Sequence, residues 1–99
     1  MNESYLFLTG DFNASPKSTT REIFKKSLSH SVQLNDAVEN LPLDKQMTYH
    51  DFTGKTTKAI DTIYFDRRVR LQDIVIDKKQ WKGVFPSDHF PVIANFILF

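Results

Sequence analysis

Apolar residues recur in short runs along this chain, and most of these runs have the length and alternation of β-strands. The first run, 5–9, stops at a polar loop and predicts a buried strand. Residues 59–65 alternate between two faces, residues 69–76 alternate more loosely, and both ranges predict strands. A shorter strand is predicted over 47–50. The last run, 91–99, is almost wholly apolar and predicts a strand buried on both faces.

One substantial helix is predicted to begin near Thr19 and to end near His30. Glu22 stands three residues after Thr19, which is a capping-box arrangement. The apolar positions of this helix form one stripe: Ile23, Phe24 and Leu28. Its solvent side is predicted to carry three basic residues: Arg21, Lys25 and Lys26. A second helix or turn is predicted over 34–41, closed by Pro42.

These elements together predict an α/β or α+β fold, in which a mostly antiparallel sheet carries one or two helices on one face. A turn at Arg67 and Arg68 joins two of the strands, and exposed loops are predicted over 51–58 and 78–85. The first and last strands are apolar on both faces, yet only one substantial helix is available to cover a sheet. We therefore expect one sheet face to need a partner, either a second copy or the missing half of a larger domain.

Composition narrows the class of protein. The chain has 99 residues, 40% of them hydrophobic, and a formal net charge of +1. These values fit one small globular domain and exclude a histone-like polycation. The absence of cysteine excludes a disulfide scaffold and a thiolate metal site. The N-terminal run is too short for a signal peptide, and no stretch approaches the roughly 20 apolar residues of a membrane span. We expect a soluble, cytoplasmic protein without membrane insertion.

Three polar clusters lie at strand ends or inside strands, where sheets commonly build sites. They are GDFN at 10–13, IDTI at 60–63 and SDHFP at 87–91. A carboxylate beside an imidazole fixes its tautomer and stabilises the imidazolium. Asp61 is a candidate to do this for His89.

Hydrolysis of a phosphate ester suits these side chains, because it needs a positioned water and neutralisation of the phosphoryl oxygens. Asp88 offers hard oxygens of the kind that Mg²⁺ prefers. Asp11 is a candidate to position or deprotonate water, or to protonate a leaving oxygen. Asn13 is neutral, so it can hydrogen-bond a phosphoryl oxygen without repelling it.

The order GDFN, IDxI, SDHFP resembles the C-terminal half of the endonuclease/exonuclease/phosphatase superfamily, and the resemblance covers nearly the whole chain. It implies half of a four-layer α/β sandwich and metal-dependent hydrolysis of phosphate esters. By position, the resemblance assigns Asp11 to proton handling, Asn13 to phosphate contact and Asp61 to orienting the histidine. It also places Asp88 at or beside an Mg²⁺ or Mn²⁺ ion. His89 becomes the catalytic imidazole, acting either as base or as phosphate ligand.

Two departures from the family pattern bear on activity. Complete family domains carry an N-terminal half with a metal-binding Glu, and nothing before Tyr5 can supply it. Ala59 and Thr62 stand where family members commonly have a basic residue and Tyr, so local substrate contacts are expected to differ while Asp61 is retained. We therefore expect a fragment or truncated phosphodiesterase or phosphatase that holds its metal weakly and is inactive alone. A complementing N-terminal half is one expected partner.

Each cluster taken alone has a simpler interpretation. Asp11 and Asn13 suit an ordinary turn, Asp61 suits a structural ion pair, and His89 suits a core histidine. All three clusters in family order favour a common site. His50 is a further candidate to bind substrate in the cleft, although a plain strand end explains it equally well.

An alternative function of a different class is a non-catalytic interaction module that self-associates, most simply as a homodimer. The apolar character of 5–8 and 91–99 motivates this alternative. For the phosphoesterase hypothesis, the sequence leaves the substrate open among nucleic acid, phosphoinositides and other phosphate esters, because specificity is carried by the site and not by the fold.

Overall fold

The central strand of the larger sheet is β3, Asp61–Asp66, which pairs antiparallel with a strand on each side. Its neighbours are β1, Phe7–Asp11, and β2, Leu34–Asp36. This is a computed structural model, and it describes residues 4–25 and 33–98. The strand order is therefore β1-β3-β2, with the second of the polar clusters on the middle strand.

A second sheet has two antiparallel strands, β4, Arg70–Ile76, and β5, Val92–Ile97. The helical elements are α1, Thr19–Lys25, and a short 3-10 helix, Leu43–Lys45. The described elements confirm the predicted fold class, a mostly antiparallel α+β arrangement with little helix. Within the described ranges, no helix has the length and apolar character needed to cross a bilayer.

The register of β1 against β3 brings two of the polar clusters to one end of the sheet. Asp11, the last residue of β1, is paired with Asp61, the first residue of β3. The predicted first strand is confirmed, but it begins two residues later than expected and runs on into Gly10 and Asp11. The first and last residues of β1 are set by its pairing with β3. Strand pairing depends on the folded chain, so an apolar run in the sequence does not predict it.

The two sheets meet through a small apolar core. Buried residues Ala37, Phe65 and Val69 form one cluster, and Phe96 of β5 packs against it. The rings of Phe65 and Phe96 lie 5.1 Å apart between centroids. This contact links β3 to β5 and so holds the third polar cluster, which precedes β5, near the start of β3.

The prediction that β5 is buried on both faces is wrong for the described residues. Half-buried and exposed residues alternate along the strand, and Ile93 is 44% exposed. The first strand is likewise largely exposed, with Phe7 at 38%. Among the described elements, α1 contacts β2 and leaves this apolar surface uncovered. The expected bare apolar face is therefore present, while the expected complete burial is not.

Helix α1 begins at Thr19, as predicted, but its cap is the residue before the one that the capping box predicted. The backbone N–H of Arg21 donates to Oγ of Ser18 at 3.2 Å, and the N–H of Glu22 donates to the Ser18 carbonyl. Ser18 is therefore the N-cap, and the predicted capping box at Thr19 is wrong. The predicted end of the helix near His30 lies outside the described residues, as do Lys26 and Leu28.

The two predicted faces of this helix are also reversed at the described positions. Arg21, predicted to face solvent, is 1% exposed, whereas Ile23, predicted to be apolar-facing, is 55% exposed. The Arg21 guanidinium lies 2.8 Å from Asp36 and donates through Nε to the Tyr64 hydroxyl at 2.6 Å. A buried carboxylate partner makes this burial possible, and that partner lies on β2, a strand that the helical periodicity cannot reveal.

The segment 34–41 forms a strand followed by a turn, so the helical alternative predicted there is wrong and the turn is confirmed. Leu34 and Asp36 are both buried, and β2 pairs with β3 through Leu34↔Asp66. Asp36 accepts a hydrogen bond from the Thr62 hydroxyl at 2.5 Å. Three residues carry too short a pattern to distinguish a strand from a helical turn.

Candidate active site

An imidazole–carboxylate pair joins the third polar cluster to the second. Nδ1 of His89 lies 2.6 Å from Oδ2 of Asp61. Because an ionised carboxylate only accepts hydrogen bonds, Nδ1 carries the proton, and Nε2 is the unprotonated nitrogen of the neutral ring. The backbone of His89 is fixed by a β-bridge to Tyr49 and by its N–H, which donates to Oγ of Ser87 at 3.1 Å.

Two further carboxylates face the other ring nitrogen. Oδ2 of Asp11 lies 3.7 Å and Oδ1 of Asp88 lies 3.9 Å from Nε2 of His89. Both distances are too long for a hydrogen bond, so these groups act on the ring through charge. The hydrogen bond that His89 donates to Asp61 raises the pKa of His89, and the charges of all three carboxylates raise it further against the opposing effect of burial. The site therefore favours the imidazolium.

These groups open onto a cleft of about 480 Å³ between the end of the larger sheet and the segment that leads into β5. Asp11, Asp61 and His89 line it together with Ser87, and apolar residues complete its wall: Ile63, Phe90, Pro91 and Val92. A half-buried imidazole in an open cleft remains accessible to a ligand while its orientation is held from behind by Asp61.

The turn after β1 directs the Asp11 side chain. The backbone N–H of Asn13 donates to Oδ1 of Asp11 at 2.7 Å, so Oδ1 is engaged locally while Oδ2 is the oxygen nearest His89. Asn13 has φ 48°, a left-handed conformation that Asn tolerates better than most residues. The turn interpretation and the site interpretation of this cluster are therefore compatible.

Three sequence-predicted site residues do not line this cleft, namely Asn13, His50 and Asp88, of which Asp88 still comes to 3.9 Å from Nε2 of His89. Asn13 lines a neighbouring cavity of about 340 Å³, together with Leu43 and Lys58. His50 is 1% exposed and stacks on Phe90, with 4.0 Å between ring centroids. The structure thus brings four of the predicted residues together: Asp11, Asp61, Asp88 and His89. Asn13 lines the neighbouring cavity, and His50 is buried against Phe90.

Among the described residues, the ring of His50 makes one hydrogen bond. Its Nδ1 accepts a hydrogen bond from the Gly54 N–H at 3.3 Å, which makes Nε2 the protonated nitrogen of the neutral ring. Within the described part of the chain, Nε2 is buried without a hydrogen-bond partner. The ring contacts of His50 with Phe85 and Phe90 are those of a packing residue.

The donor set is chemically suited to a divalent cation. Asp11, Asp61 and His89 each offer one ligand atom, and these atoms lie within 4.8 Å of one another. Asp88, to which the sequence assigns the metal, comes to 3.9 Å from Nε2 of His89 and stands at the edge of this cluster. Because Mg²⁺ keeps several waters and uses one or two carboxylates, this oxygen-rich set fits such an ion, although it provides few protein ligands.

Thr48 and Tyr49 contact this cluster, although the sequence marks them only as the residues before His50 and gives neither a role of its own. Oγ1 of Thr48 donates to Oδ2 of Asp61 at 2.5 Å. The Tyr49 ring makes an edge contact with His89 at 5.2 Å, and the neighbouring Asp51 carboxylate raises the pKa of the phenol. The available signal was the predicted strand over 47–50, whose alternation puts Thr48 and His50 on one buried face.

Solved structures share the fold of this chain. One is a functionally unknown conserved protein from Enterococcus faecalis V583, 27% identical, with a TM-score of 0.76 over 96% of this chain and 37% of that chain. Another is an endonuclease/exonuclease/phosphatase family protein from Bacteroides thetaiotaomicron, 25% identical, with a TM-score of 0.76 over 96% of this chain and 38% of that chain.

A third match is a mannosyl-6-phosphatase from Bacteroides thetaiotaomicron VPI-5482, 24% identical, with a TM-score of 0.75 over 95% of this chain and 38% of that chain. No protein-family model and no curated protein sequence matches the chain. The chain therefore has the fold of part of an endonuclease/exonuclease/phosphatase domain, and its structural neighbours support a hydrolase-like ancestry. It spans well under half the length of these matched chains.

Proposed function

We propose that this chain forms the histidine-bearing part of a phosphate-ester hydrolase site that works with Mg²⁺ or Mn²⁺. The observation that carries the proposal is the orientation of His89, with Nδ1 bonded to Asp61 and Nε2 facing Asp11 and Asp88 beside an open cleft. An imidazole held in this way can hold or transfer a proton at Nε2, next to carboxylates that can position water.

In this proposal His89 donates a hydrogen bond from Nε2 to a phosphoryl oxygen. The raised pKa supports this role over that of general base, because the imidazolium persists to higher pH than in an ordinary histidine. Asp61 keeps the ring oriented. Asp11 positions the attacking water or handles the leaving-group proton, and Asn13, two residues further on, is the proposed phosphate contact from the adjoining cavity.

Asp88 is the proposed carboxylate ligand of the metal, with Asp11 as the nearest second carboxylate around Nε2 of His89. When bound, the ion would supply Lewis-acid polarisation of the phosphoryl group. Oδ2 of Asp61 already accepts hydrogen bonds from both His89 and Thr48. Of the three carboxylates, Asp61 is therefore the least available to a metal ion.

For the 99-residue chain by itself, we propose weak metal binding and no measurable turnover. The side chains of Asp11 and Asp88 are 47% and 41% exposed, so water and salt screen their attraction for a cation. A complementing polypeptide that covers the cleft would add ligands and exclude water, and activity would then appear only in the complex.

The substrate class in this proposal is a phosphate ester, either a phosphodiester such as nucleic acid or a phosphomonoester. The mannosyl-6-phosphatase among the structural neighbours supports including a sugar phosphate in any panel of ligands. The cleft itself offers apolar walls beside the carboxylates, which suits an ester with an organic group next to the phosphate.

The test is an NMR titration of the uniformly ¹⁵N-labelled chain with inorganic phosphate, phenyl phosphate and mannose 6-phosphate, each with and without Mg²⁺. We expect saturable shifts at Asp11, Asp61 and His89, and a weaker response in His89→Gln. Asp73→Asn is the matched control, because Asp73 is an exposed carboxylate on β4 whose partner is Asn95.

The outcomes separate clearly. Saturable shifts confined to the cleft and lost in His89→Gln support a phosphate site, and Asp73→Asn should behave like the unsubstituted chain. Shifts that are absent at millimolar ligand, or that persist in His89→Gln, contradict it. Hydrolysis of any of these esters by the chain alone would overturn the proposed inactivity, provided that His89→Gln abolishes it.

A non-catalytic self-associating module is the second candidate function. It is favoured by the exposed large apolar side chains of the strands, among them Phe7, Val75, Ile93 and Ile97. Equilibrium sedimentation tests it: a dimer that dissociates in Ile93→Lys supports the candidate, because a charge placed on the shared face opposes association. A monomer at all concentrations, with an unchanged fold, contradicts it.

A further inference from the structure

Two hydrogen-bond donors converge on a single oxygen of Asp61. Nδ1 of His89 lies 2.6 Å from Oδ2, and Oγ1 of Thr48 lies 2.5 Å from the same atom. The hydroxyl of Thr48 is fully buried, whereas the Asp61 side chain keeps 15% of its surface exposed. A carboxylate that is partly open to water has rotational freedom unless a second contact restrains it.

The backbone around Thr48 is tied to the segments on both sides of the site. Its N–H donates to the Lys58 carbonyl at 2.9 Å, and its carbonyl accepts from the Phe90 N–H at 2.7 Å. Lys58 lies shortly before Asp61, and Phe90 directly follows His89. These two hydrogen bonds fix the backbone of Thr48 relative to the segments that carry Asp61 and His89. The Thr48 hydroxyl is therefore held at a defined position beside the pair.

We propose that Thr48 is a positioning residue, whose hydroxyl holds the Asp61 carboxylate in the one orientation that receives His89 Nδ1–H. This inference deepens the proposed function, and its relevance to catalysis rests on that function. The hydrogen-bond arrangement itself can be examined without turnover, without a ligand and without metal.

Packing alone would not require a threonine at this position. Valine has nearly the same shape, so Thr48→Val preserves the volume of the side chain and removes the donor, whereas Thr48→Ser preserves the donor and removes a methyl group. If Thr48 only fills space, serine should disturb the site more than valine does. If its hydroxyl positions Asp61, the order is reversed.

A matched control exists on the neighbouring residue of Asp61. Thr62 is also buried, and its hydroxyl donates to Oδ1 of Asp36 at 2.5 Å, so Thr62→Val removes the same chemistry from a pair that does not include His89. Both valine variants should lose comparable stability, since each leaves a carboxylate short of one hydrogen bond. Only Thr48→Val should alter the imidazole.

The experiment observes the His89 ring by ¹⁵N and proton NMR at neutral pH in the presence of chelator. In the unsubstituted chain and in Thr48→Ser we expect a slowly exchanging Nδ1 proton. In Thr48→Val, exchange of this proton should accelerate by roughly five- to tenfold, the factor that corresponds to one lost hydrogen bond. Thr62→Val should leave the exchange rate unchanged.

An unchanged Nδ1 proton in folded Thr48→Val, or an equal change in Thr62→Val, would overturn the inference. If Thr48→Val does not fold, the unsubstituted chain decides: both protons point at one oxygen, so a nuclear Overhauser effect between the Thr48 hydroxyl and His89 Nδ1–H is expected, and its absence overturns the inference. A positive result combined with no phosphate binding would sustain the role of Thr48 while refuting the proposed function.

Discussion

Asp11 and Asp61 are register partners at one end of the β1–β3 ladder, and both side chains lie against His89 although the three residues are widely separated in the sequence. The pairing of β1 with β3 brings Asp11 and Asp61 together, and the contact of β5 with the core brings His89 to them. The site is therefore a consequence of sheet register, and disturbing one partner should change the others in predictable directions.

The His89–Asp61 pair should be visible in the titration of the imidazole. Because hydrogen bonding to Asp61 is the main cause of the raised pKa, Asp61→Asn should lower the pKa of His89. Asp11→Asn should produce a smaller fall, since Asp11 acts at 3.7 Å through charge alone. The measurement is an NMR titration in chelator, and a pKa that does not fall in Asp61→Asn contradicts the pairing.

The same shift has a consequence for stability. A raised folded-state pKa means that the pair stabilises the fold fully below the ordinary histidine value of about 6.5 and loses that contribution as pH rises through the folded value. Urea unfolding across this range should show a decline that is absent in Asp61→Asn. A decline of equal size in both chains would assign it to another group.

Asp66 should govern the response to acid. Hydrogen bonds from Arg68 hold the pKa of this buried carboxyl well below its usual range. Its stabilising effect is present above the ordinary Asp value of about 3.9 and is lost as pH falls below it. Asp66→Asn should cost about 1–3 kcal/mol at neutral pH and flatten the acid limb of the unfolding curve. Asp73→Asn, an exposed carboxylate, should do neither.

The buried ion pair between Arg21 and Asp36 should be the most sensitive contact outside the site. Arg21→Met strands a buried carboxylate and should lower the free energy of unfolding by about 3–5 kcal/mol. Arg67→Met, which removes an exposed guanidinium bonded to Gln33, should cost less than about 1 kcal/mol. Similar costs for the two variants in urea titration would contradict the structural role given to Arg21.

Metal binding should be weak and localised. Paramagnetic broadening by Mn²⁺ is expected first at Asp11, Asp88 and their neighbours, and it should require a higher Mn²⁺ concentration in Asp88→Asn. Addition of chelator should restore the signals. Broadening that is unchanged in Asp88→Asn, or that centres on the exposed carboxylates of β4, would place the ion elsewhere.

The sequence predicts β1, β3, β4, β5 and the order of the three clusters, because both depend on local pattern. It misses β2, and the strand predicted over 47–50 is wrong, since only isolated bridges at Tyr49 form there. The alternation over 59–65 gives β3 and its faces, and the first and third clusters sit at strand ends as expected. The carboxylate of the second cluster was expected inside a strand, whereas Asp61 is the first residue of β3. The buried faces of β1 and β5 could not be predicted in the same way. The apolar residues of a strand show that other elements can pack against it. Whether those residues are exposed depends on which elements are present to pack there.

Other features escaped prediction because they depend on partners distant in sequence. Arg21 is buried only because Asp36 and Tyr64 receive its guanidinium. The contribution of Thr48 to the site depends on where the Asp61 carboxylate lies, which sheet register decides. The pattern of apolar and polar positions shows the period of each element, but it does not show which group a polar side chain will contact.

The central claim is that Nε2 of His89 faces a phosphate-binding position. Its most direct test is a crystal structure of the chain grown with Mn²⁺ and inorganic phosphate. We predict phosphate in the cleft, with one oxygen about 2.7–3.2 Å from Nε2 of His89, and anomalous density for Mn²⁺ at Asp88 or Asp11. A phosphate bound away from His89, or a cleft that remains filled only by water at saturating phosphate, would contradict the claim.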